Sequence, residues 1–292
     1  MITDTLYLSS AARIGRRWFR RDRSMVIAGL VIAAIAIPCL MAPLVAPYDP
    51  RYQPNIVTLK NAAPSFAHLM GTDGASRDIL SRLLHGGRLS LSLALFATLV
   101  SVTVGTAYGA IAGYSSGLTA SILERVLDTL LSIPRLLVLI VIFATWENIE
   151  ITGFIIILGI TGWYGLARLV RGQVLALKSQ DFVASARALG ATQARIVIRH
   201  ILPNVVTPVV VAATLGLGQI IILEAGLSWL GIGLKVPTPS WGNMIQEGSD
   251  QMTNHWWISF FPGMALVLIV MAFNILGDGL LRALSPRQLN RR

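Results

Sequence analysis

The sequence carries little charge and almost no cysteine. Asp, Glu, Lys and Arg make up only 13% of the 292 residues, about half the share of a typical soluble domain. Hydrophobic residues reach 54% and the mean hydropathy is +0.66, which excludes a disordered chain. The single cysteine, Cys39, lies in an apolar run, so a disulfide framework and a cysteine-rich metal site are also excluded. This composition predicts an integral membrane protein.

The chain also lacks the motifs of common catalytic sites. A phosphate-binding loop needs Lys directly after Gly, whereas all three lysines follow Leu. The four histidines are scattered, without the H-E-x-x-H spacing of a zinc site. Ser228 follows Gly226-Leu227, but the second Gly of a nucleophile elbow is missing. We therefore predict no catalytic residue, no metal site and no cofactor bound by this chain, and no enzyme activity of its own.

Long apolar runs predict six membrane-spanning helices. A helix needs about 20 apolar residues to cross the hydrocarbon core, and four runs meet this length without any charge: 25–48, 89–123, 201–223 and 256–277. Two further runs are interrupted or short, 126–146 and 151–167. The predicted fold class is therefore an all-α membrane protein with six transmembrane helices. The first run resembles a signal peptide in its basic flank, but at 24 residues it exceeds the usual 7–15-residue apolar core, which favours a retained anchor.

The positions of the basic residues predict the orientation. In the six-span model, 17 of the 24 Lys and Arg fall on the side of the two tails, six fall on the opposite side and Arg135 lies within a span. Because cytoplasmic loops are enriched in Lys and Arg, both termini are predicted to be cytoplasmic. The same dispersal over several loops argues against nucleic acid as a partner.

The predicted segments are a basic tail (1–24), a first span (25–48), an external loop (49–88), a five-helix core (89–281) with an inner loop (178–204) and an outer loop (229–255), and a second basic tail (282–292).

Two charges lie within the third predicted span. Asp128 and Arg135 are seven positions apart, two turns along one face of a continuous helix. Such charges mark an ion path in some transporters, but a single pair of charged residues is too few to pass ions across the membrane. We interpret them as a buried structural pair and keep a position near a pathway as the alternative.

The inner loop has the pattern of two short helices joined at a glycine. Asp181 is suited to cap the first helix, Phe182, Ala186 and Leu189 share one face, and Gly190 interrupts the helix. A second short helix then runs toward Pro203. This helix–glycine–helix segment, called the elbow below, offers a shape for another protein to bind. The alternative is an amphipathic segment lying on the lipid surface.

The elbow resembles the EAA loop of bacterial ABC importer permeases, D-Y-V-E-A-A-R-A-L-G followed ten residues later by I-L-P-N. The chain from about residue 15 to 287 is similar to the C-type permease of the dipeptide, oligopeptide and nickel family. Segments that carry this similarity are 68–73 (HLMGTD), 77–83 (RDILSRL), 223–233 (LEAGLSWLGIG), 239–242 (PSWG) and 274–280 (NILGDGL). The family's Glu is replaced here by Ala184, which removes the capping box and the ion pair that the Glu makes with the ATPase.

The resemblance implies a permease subunit of an ATP-driven importer in the bacterial inner membrane. Its partners would be a B-type permease, ATP-binding subunits that hold ATP and Mg, a periplasmic binding protein that delivers dipeptides or oligopeptides, and the lipid bilayer. The residues implied in ATPase coupling are Asp181, Ala184, Ser185, Ala186, Arg187, Gly190, Ala191, Leu202 and Pro203. Nickel, glutathione and oligosaccharides remain alternative cargoes. An ion-coupled transporter and a membrane-embedded enzyme are the competing classes.

Overall fold

The computed structural model describes residues 23–146, 149–234 and 238–284, and these residues form helices and no strand. The two predicted basic tails, 1–24 and 282–292, lie mostly outside these ranges. The helices are α1 (Arg23–Leu40), α2 (Ala42–Val45), α3 (Ile79–Tyr114), α4 (Gly117–Ser132), α5 (Arg135–Thr145), α6 (Ile151–Ile160), α7 (Trp163–Lys178), α8 (Asp181–Ala188), α9 (Gln193–Ile196), α10 (Leu202–Trp229), α11 (Trp241–Ser249) and α12 (Trp257–Leu284). A π-helical turn, Val197–Ile201, joins α9 to α10.

The described residues contain five helices long and apolar enough to cross a membrane, and six if one bent pair counts as a span. The five are Arg23–Leu40, Ile79–Tyr114, Ile151–Lys178, Gln193–Trp229 and Trp257–Ala283, and the bent pair is α4 with α5. The all-α membrane fold predicted from the sequence is therefore confirmed.

The second spanning helix begins ten residues earlier than predicted. Helix α3 starts at Ile79 rather than at residue 89, and the carboxylate of Asp78 caps it by accepting from the Ser81 backbone N–H at 2.8 Å. The predicted external loop 49–88 therefore ends at residue 78. The prediction failed because Arg82 and Arg88 were taken to end the apolar run, whereas Arg82 is buried in ion pairs within the helix.

The third and fourth spans are both interrupted midway. Helices α4 and α5 meet at an angle of 72°, because Ile133 is extended before Pro134, as residues preceding proline usually are. The fourth span is broken by a turn at Thr161 and Gly162 between α6 and α7. It reaches Lys178, beyond the predicted end at residue 167.

A row of glycines brings α3 into backbone contact with α7. Gly105, Gly109 and Gly113 recur every fourth residue, so they lie on one face of α3. A Cβ atom at Gly109 would stand 2.6 Å from the carbonyl oxygen of Ala167. Small residues allow this close approach between membrane helices, where van der Waals contact replaces the hydrophobic effect as a driving force.

The outer loop is folded against the helices. It contains α11, which begins with a reciprocal capping box between Ser240 and Asn243. Trp241 and Trp257 are both buried in the protein. The indole N–H of Trp241 donates to the Leu83 carbonyl at 3.0 Å, so this residue fixes the loop to α3.

Candidate coupling site and the charged clusters

The elbow turns at Gly190, as its sequence predicted. Gly190 has a φ of +81°, a conformation that costs side-chain-bearing residues free energy. Its N–H donates to the Arg187 carbonyl at 3.0 Å, and the Ala191 N–H donates to the Ala186 carbonyl at 3.1 Å. This pair of bonds is a Schellman motif, which ends a helix by satisfying its last carbonyl groups.

The caps of the two short helices differ from the prediction. Asp181 is the first residue of α8 rather than its cap, and Gln180 precedes it without a side-chain capping bond. The carboxylate of Asp181 still lies in the first turn, where the helix dipole favours negative charge. Thr192, which sequence reasoning missed, caps α9 by accepting from the Arg195 N–H at 3.4 Å. A Thr just after the glycine turn was the signal that could have identified it.

One face of α8 packs against the spanning helices and the other is open. Val183 and Ala186 are buried, in an apolar cluster with Val170 and Val174 of α7 and with residues of α9 and α10. Of Phe182, Ala186 and Leu189, which were predicted to share one face, only Ala186 is buried, whereas Leu189 is 88% exposed and Phe182 41% exposed. The exposed face instead contains Ala184, Ser185, Arg187 and Leu189.

The second arm of the elbow is not a separate short helix. Helix α9, the π-helical turn and α10 together form one stretch from Gln193 to Trp229 that is long and apolar enough to span the membrane. Leu202 and Pro203 occupy the first two positions of α10, where a missing proline N–H is tolerated. The elbow is therefore continuous with a spanning helix on each side.

Asp128 and Arg135 do not pair with each other, which corrects the sequence interpretation. Asp128 forms an ion pair with Arg168, both side chains being more than half exposed. Arg135 instead donates from Nη2 to the Leu158 carbonyl at 2.6 Å and from Nε to the Thr161 hydroxyl at 3.3 Å. The seven-residue spacing aligned the two residues only on a continuous helix, and the bend at Pro134 places them on different helices.

A buried ion network joins the start of α3 to α11. Asp73 contacts both Arg77 and Arg82, and both arginines also contact Glu247. The Arg77 Nε to Asp73 Oδ2 distance is 2.8 Å, as is the distance from Arg77 Nη2 to Glu247 Oε2. Sequence reasoning matched residues 68–83 to a family motif but did not find this network, because Glu247 is 165 positions from Arg82.

Another buried acid anchors the outer end of α10. Glu224 is 1% exposed, and its carboxylate accepts from the hydroxyl groups of Ser90 at 3.1 Å and Ser228 at 2.9 Å. Ser228 thus serves as a hydrogen-bond donor to a buried carboxylate. Across residues 23–146, 149–234 and 238–284, no group of three or more His, Cys, Asp or Glu side chains is arranged to hold a metal ion.

Comparison with known proteins places the chain in a family. Residues 105–290 match the family described as "Binding-protein-dependent transport system inner membrane component", and residues 10–64 match the "N-terminal TM domain of oligopeptide transport permease C". The chain is 38% identical to the oligopeptide transport system permease protein OppC of Haemophilus influenzae, over 93% of this chain and 87% of that protein.

Other relatives are named for different cargoes. The chain is 36% identical to the dipeptide transport system permease protein DppC of Bacillus subtilis, over 92% of this chain and 84% of that protein. It is 39% identical to the glutathione transport system permease protein GsiD of Escherichia coli, over 93% and 89%. Among solved structures, an inward-facing MetNI methionine ABC transporter matches with a TM-score of 0.57 at 20% identity, over 70% of this chain and 96% of that chain. This last similarity shows the fold alone. The chain therefore belongs to the binding-protein-dependent transport system inner membrane components, the permease subunits of ABC importers, and within them to the C-type permeases.

Proposed function

We propose that this chain forms half of the membrane pore of a peptide importer in the bacterial inner membrane. A B-type permease supplies the other half, and separate ATP-binding subunits hold ATP and Mg. A periplasmic binding protein delivers dipeptides or oligopeptides. The observation that carries the proposal is the exposed elbow, held between two spanning helices of a chain that is 36–38% identical to oligopeptide and dipeptide permeases.

The geometry of the elbow suits transmission of movement from an ATPase. Its exposed residues, Ala184, Ser185 and Arg187 among them, are available for contact, while Val183 and Ala186 on its other face pack against α7. A push on the exposed face therefore displaces α7 and α10 together. Coupling of this kind needs two states of the spans, each favoured by a different ligand.

The charges around the elbow support a cytoplasmic position. Arg187 lies in the elbow, Arg168, Arg171 and Lys178 lie on α7 before it, and Arg195 and Arg199 lie at the start of the Gln193–Trp229 stretch after it. This excess of basic residues is expected for a cytoplasmic segment. Lys178 donates from Nζ to the Ser115 carbonyl at 3.1 Å, so the turn between α3 and α4 lies at the same end of the bundle. The network of Asp73, Arg77, Arg82 and Glu247 would then lie on the periplasmic side, toward the binding protein.

Uptake by the assembled complex tests the proposal. Proteoliposomes that contain both permeases and the ATPase subunits, supplied with the binding protein, should accumulate a labelled dipeptide and a labelled tetrapeptide only when ATP is present. Accumulation that ignores ATP and collapses with the proton gradient would instead identify an ion-coupled transporter. Conversion of a substrate by the purified chain without partners would identify an enzyme.

Glutathione is the second candidate cargo, because one relative at 39% identity is named a glutathione permease. Glutathione is itself a short peptide with free carboxylates, so the two proposals share much of their chemistry. Competition of unlabelled glutathione, dipeptides, an oligosaccharide and nickel against the labelled dipeptide distinguishes them. Loss of glutathione uptake without loss of peptide uptake in a deletion strain would overturn the peptide assignment.

A further inference from the structure

A cavity of about 260 Å³ lies halfway along the bundle. Its polar lining residues are Thr98 and Ser101 of α3, Arg135 of α5 and Gln219 of α10. Thr98 and Gln219 stand near the midpoints of α3 and α10, so the cavity is at the middle depth of the spans. Each water molecule takes about 30 Å³ in the liquid, and the cavity is therefore large enough for one end of a peptide.

Both broken spans are interrupted beside this cavity. Arg135 is the first residue of α5, and the turn before α7 ends at Gly162, another lining residue. Non-helical backbone at membrane depth is tolerated where it is buried in protein or lines a hydrated cavity. Helices α5 and α7 begin here, and helix N-termini carry partial positive charge that favours anions.

No carboxylate among the described residues balances the charge of Arg135. None of the ion pairs among the described residues includes it, and its two hydrogen bonds are to a neutral carbonyl and a neutral hydroxyl. Its Nη1 atom donates to no group in the described ranges. An ionisable residue at this depth is costly and usually marks a substrate or ion path.

A second polar group in the same cavity also lacks a partner among the residues that the structure describes. Thr98 is 6% exposed, and its hydroxyl makes no hydrogen bond within the described part of the chain. Buried hydroxyls are nearly always hydrogen-bonded in proteins. A carboxylate bound in the cavity would offer two acceptor oxygen atoms to these two donors, the Thr98 hydroxyl and the Arg135 guanidinium.

We infer that this cavity is a transient site for the carboxylate of the transported compound, with Arg135 as its cationic contact and Thr98 as a hydrogen-bond donor. The inference rests on the proposed function and adds a specificity element within the permease itself. Cargo with a free carboxylate would pass this point more readily than the same cargo with that group blocked.

The test compares a labelled dipeptide with its C-terminal amide in the full ATP-driven complex. Each peptide is first bound to the binding protein, so that both are presented at equal loading. Replacement of Arg135 by Gln (Arg135→Gln) should lower uptake of the free acid relative to the amide by about tenfold, the effect of about 1.4 kcal/mol. Arg168→Gln removes an exposed arginine outside the cavity and should leave the ratio unchanged.

A purely structural role for Arg135 makes a different prediction. Loss of its bond to Leu158 would lower uptake of both peptides by the same factor, and that outcome would overturn the inference. If Arg135→Gln fails to assemble, Gln219→Glu replaces it. Gln219 is exposed on α10, and the added negative charge should also disfavour the free acid by about tenfold.

If the Gln219→Glu variant takes up the free acid and the amide in the same ratio as the wild type, the inferred carboxylate site would likewise be refuted. A wild-type complex that imports neither peptide would refute the proposed function instead. The two failures are therefore distinguishable.

Discussion

Arg82 of α3 and Glu247 of α11 form a two-pronged ion pair, with Nη1 to Oε2 at 2.6 Å and Nη2 to Oε1 at 3.0 Å. The Arg82 side chain is 2% exposed and the Glu247 side chain 19% exposed, so the arginine is shielded from solvent and the carboxylate is partly shielded. Planar pairing of this kind is the strongest geometry available to an arginine and a carboxylate. It fastens the outer-loop helix to the end of a spanning helix.

Arg82→Leu should destabilise the protein strongly. The substitution leaves the buried Asp73 and the partly buried Glu247 with Arg77 as their remaining cationic partner. Removal of one member of a buried ion pair typically costs about 3–5 kcal/mol. Thermal unfolding of the purified subunit in detergent, followed by size-exclusion chromatography, measures the effect.

Arg168→Gln is the matched control for this prediction. It breaks the exposed pair with Asp128, and such surface pairs contribute at most about 1 kcal/mol. Equal loss of stability in the two variants would show that burial of the Arg82 network does not stabilise the protein.

Gly109→Ala should weaken the packing of α3 against α7. The new Cβ would lie 2.6 Å from a backbone oxygen, so the helices must separate, and overpacking of this kind costs about 1–3 kcal/mol. Gly172→Ala is the comparison, since a Cβ at Gly172 meets nothing within 4 Å. That variant should hold or slightly raise the unfolding temperature, because alanine favours helix over glycine. A lower unfolding temperature for Gly172→Ala than for Gly109→Ala would contradict the packing argument.

Gly190→Val should weaken the contact between the elbow and the ATPase subunits. A positive φ costs an L-residue about 1–2 kcal/mol, so the elbow would change shape. Both peptide uptake and recovery of the ATPase subunits with the purified permease should fall. Gly190→Asn should retain more of both, because asparagine adopts the left-handed conformation more readily. Full retention of both by the valine variant would refute the coupling assignment and favour a lipid-facing elbow.

The orientation of the chain is tested with reporter fusions. The distribution of Lys and Arg, 17 against six, predicts that a reporter fused after Lys60 lies outside the cytoplasm. A reporter fused after Gly190 should lie inside. A cytoplasmic signal from the Lys60 fusion would invalidate the proposed sidedness.

The sequence predicted the spans best where burial and hydropathy agree. The runs that became α10 and α12 are apolar throughout, and their helices begin within one residue of the predicted starts at 201 and 256. Helix α1 instead ends at Leu40, before the predicted end at residue 48. The start of α3 was missed because a charged residue ends an apolar run in sequence, whereas a buried partner distant in the chain neutralises its charge in the fold. No local pattern reports that Glu247 faces Arg82.

The bends in the broken spans could not be predicted from the sequence for a different reason. Pro134 was visible, but the angle of the bend depends on packing against other helices, and the partners of Asp128 and Arg135 depend on that angle. Within the elbow, the glycine turn was correctly predicted because its reason is local backbone geometry. The sequence did not predict which face of α8 is buried, because that depends on the positions of α7 and α10.

The glycine row of α3 also has a consequence for biosynthesis. The ribosome completes α3 long before α7, since the 48 residues between Tyr114 and Trp163 are made in between. Until α7 is inserted, Gly105, Gly109 and Gly113 face either lipid or an early neighbour, and their missing side chains leave a shallow groove there. Pairing of α3 with α7 is therefore a late step that joins the early and late parts of the nascent chain, and a chain truncated before Trp163 would present an unfilled groove to the quality-control proteases of the membrane.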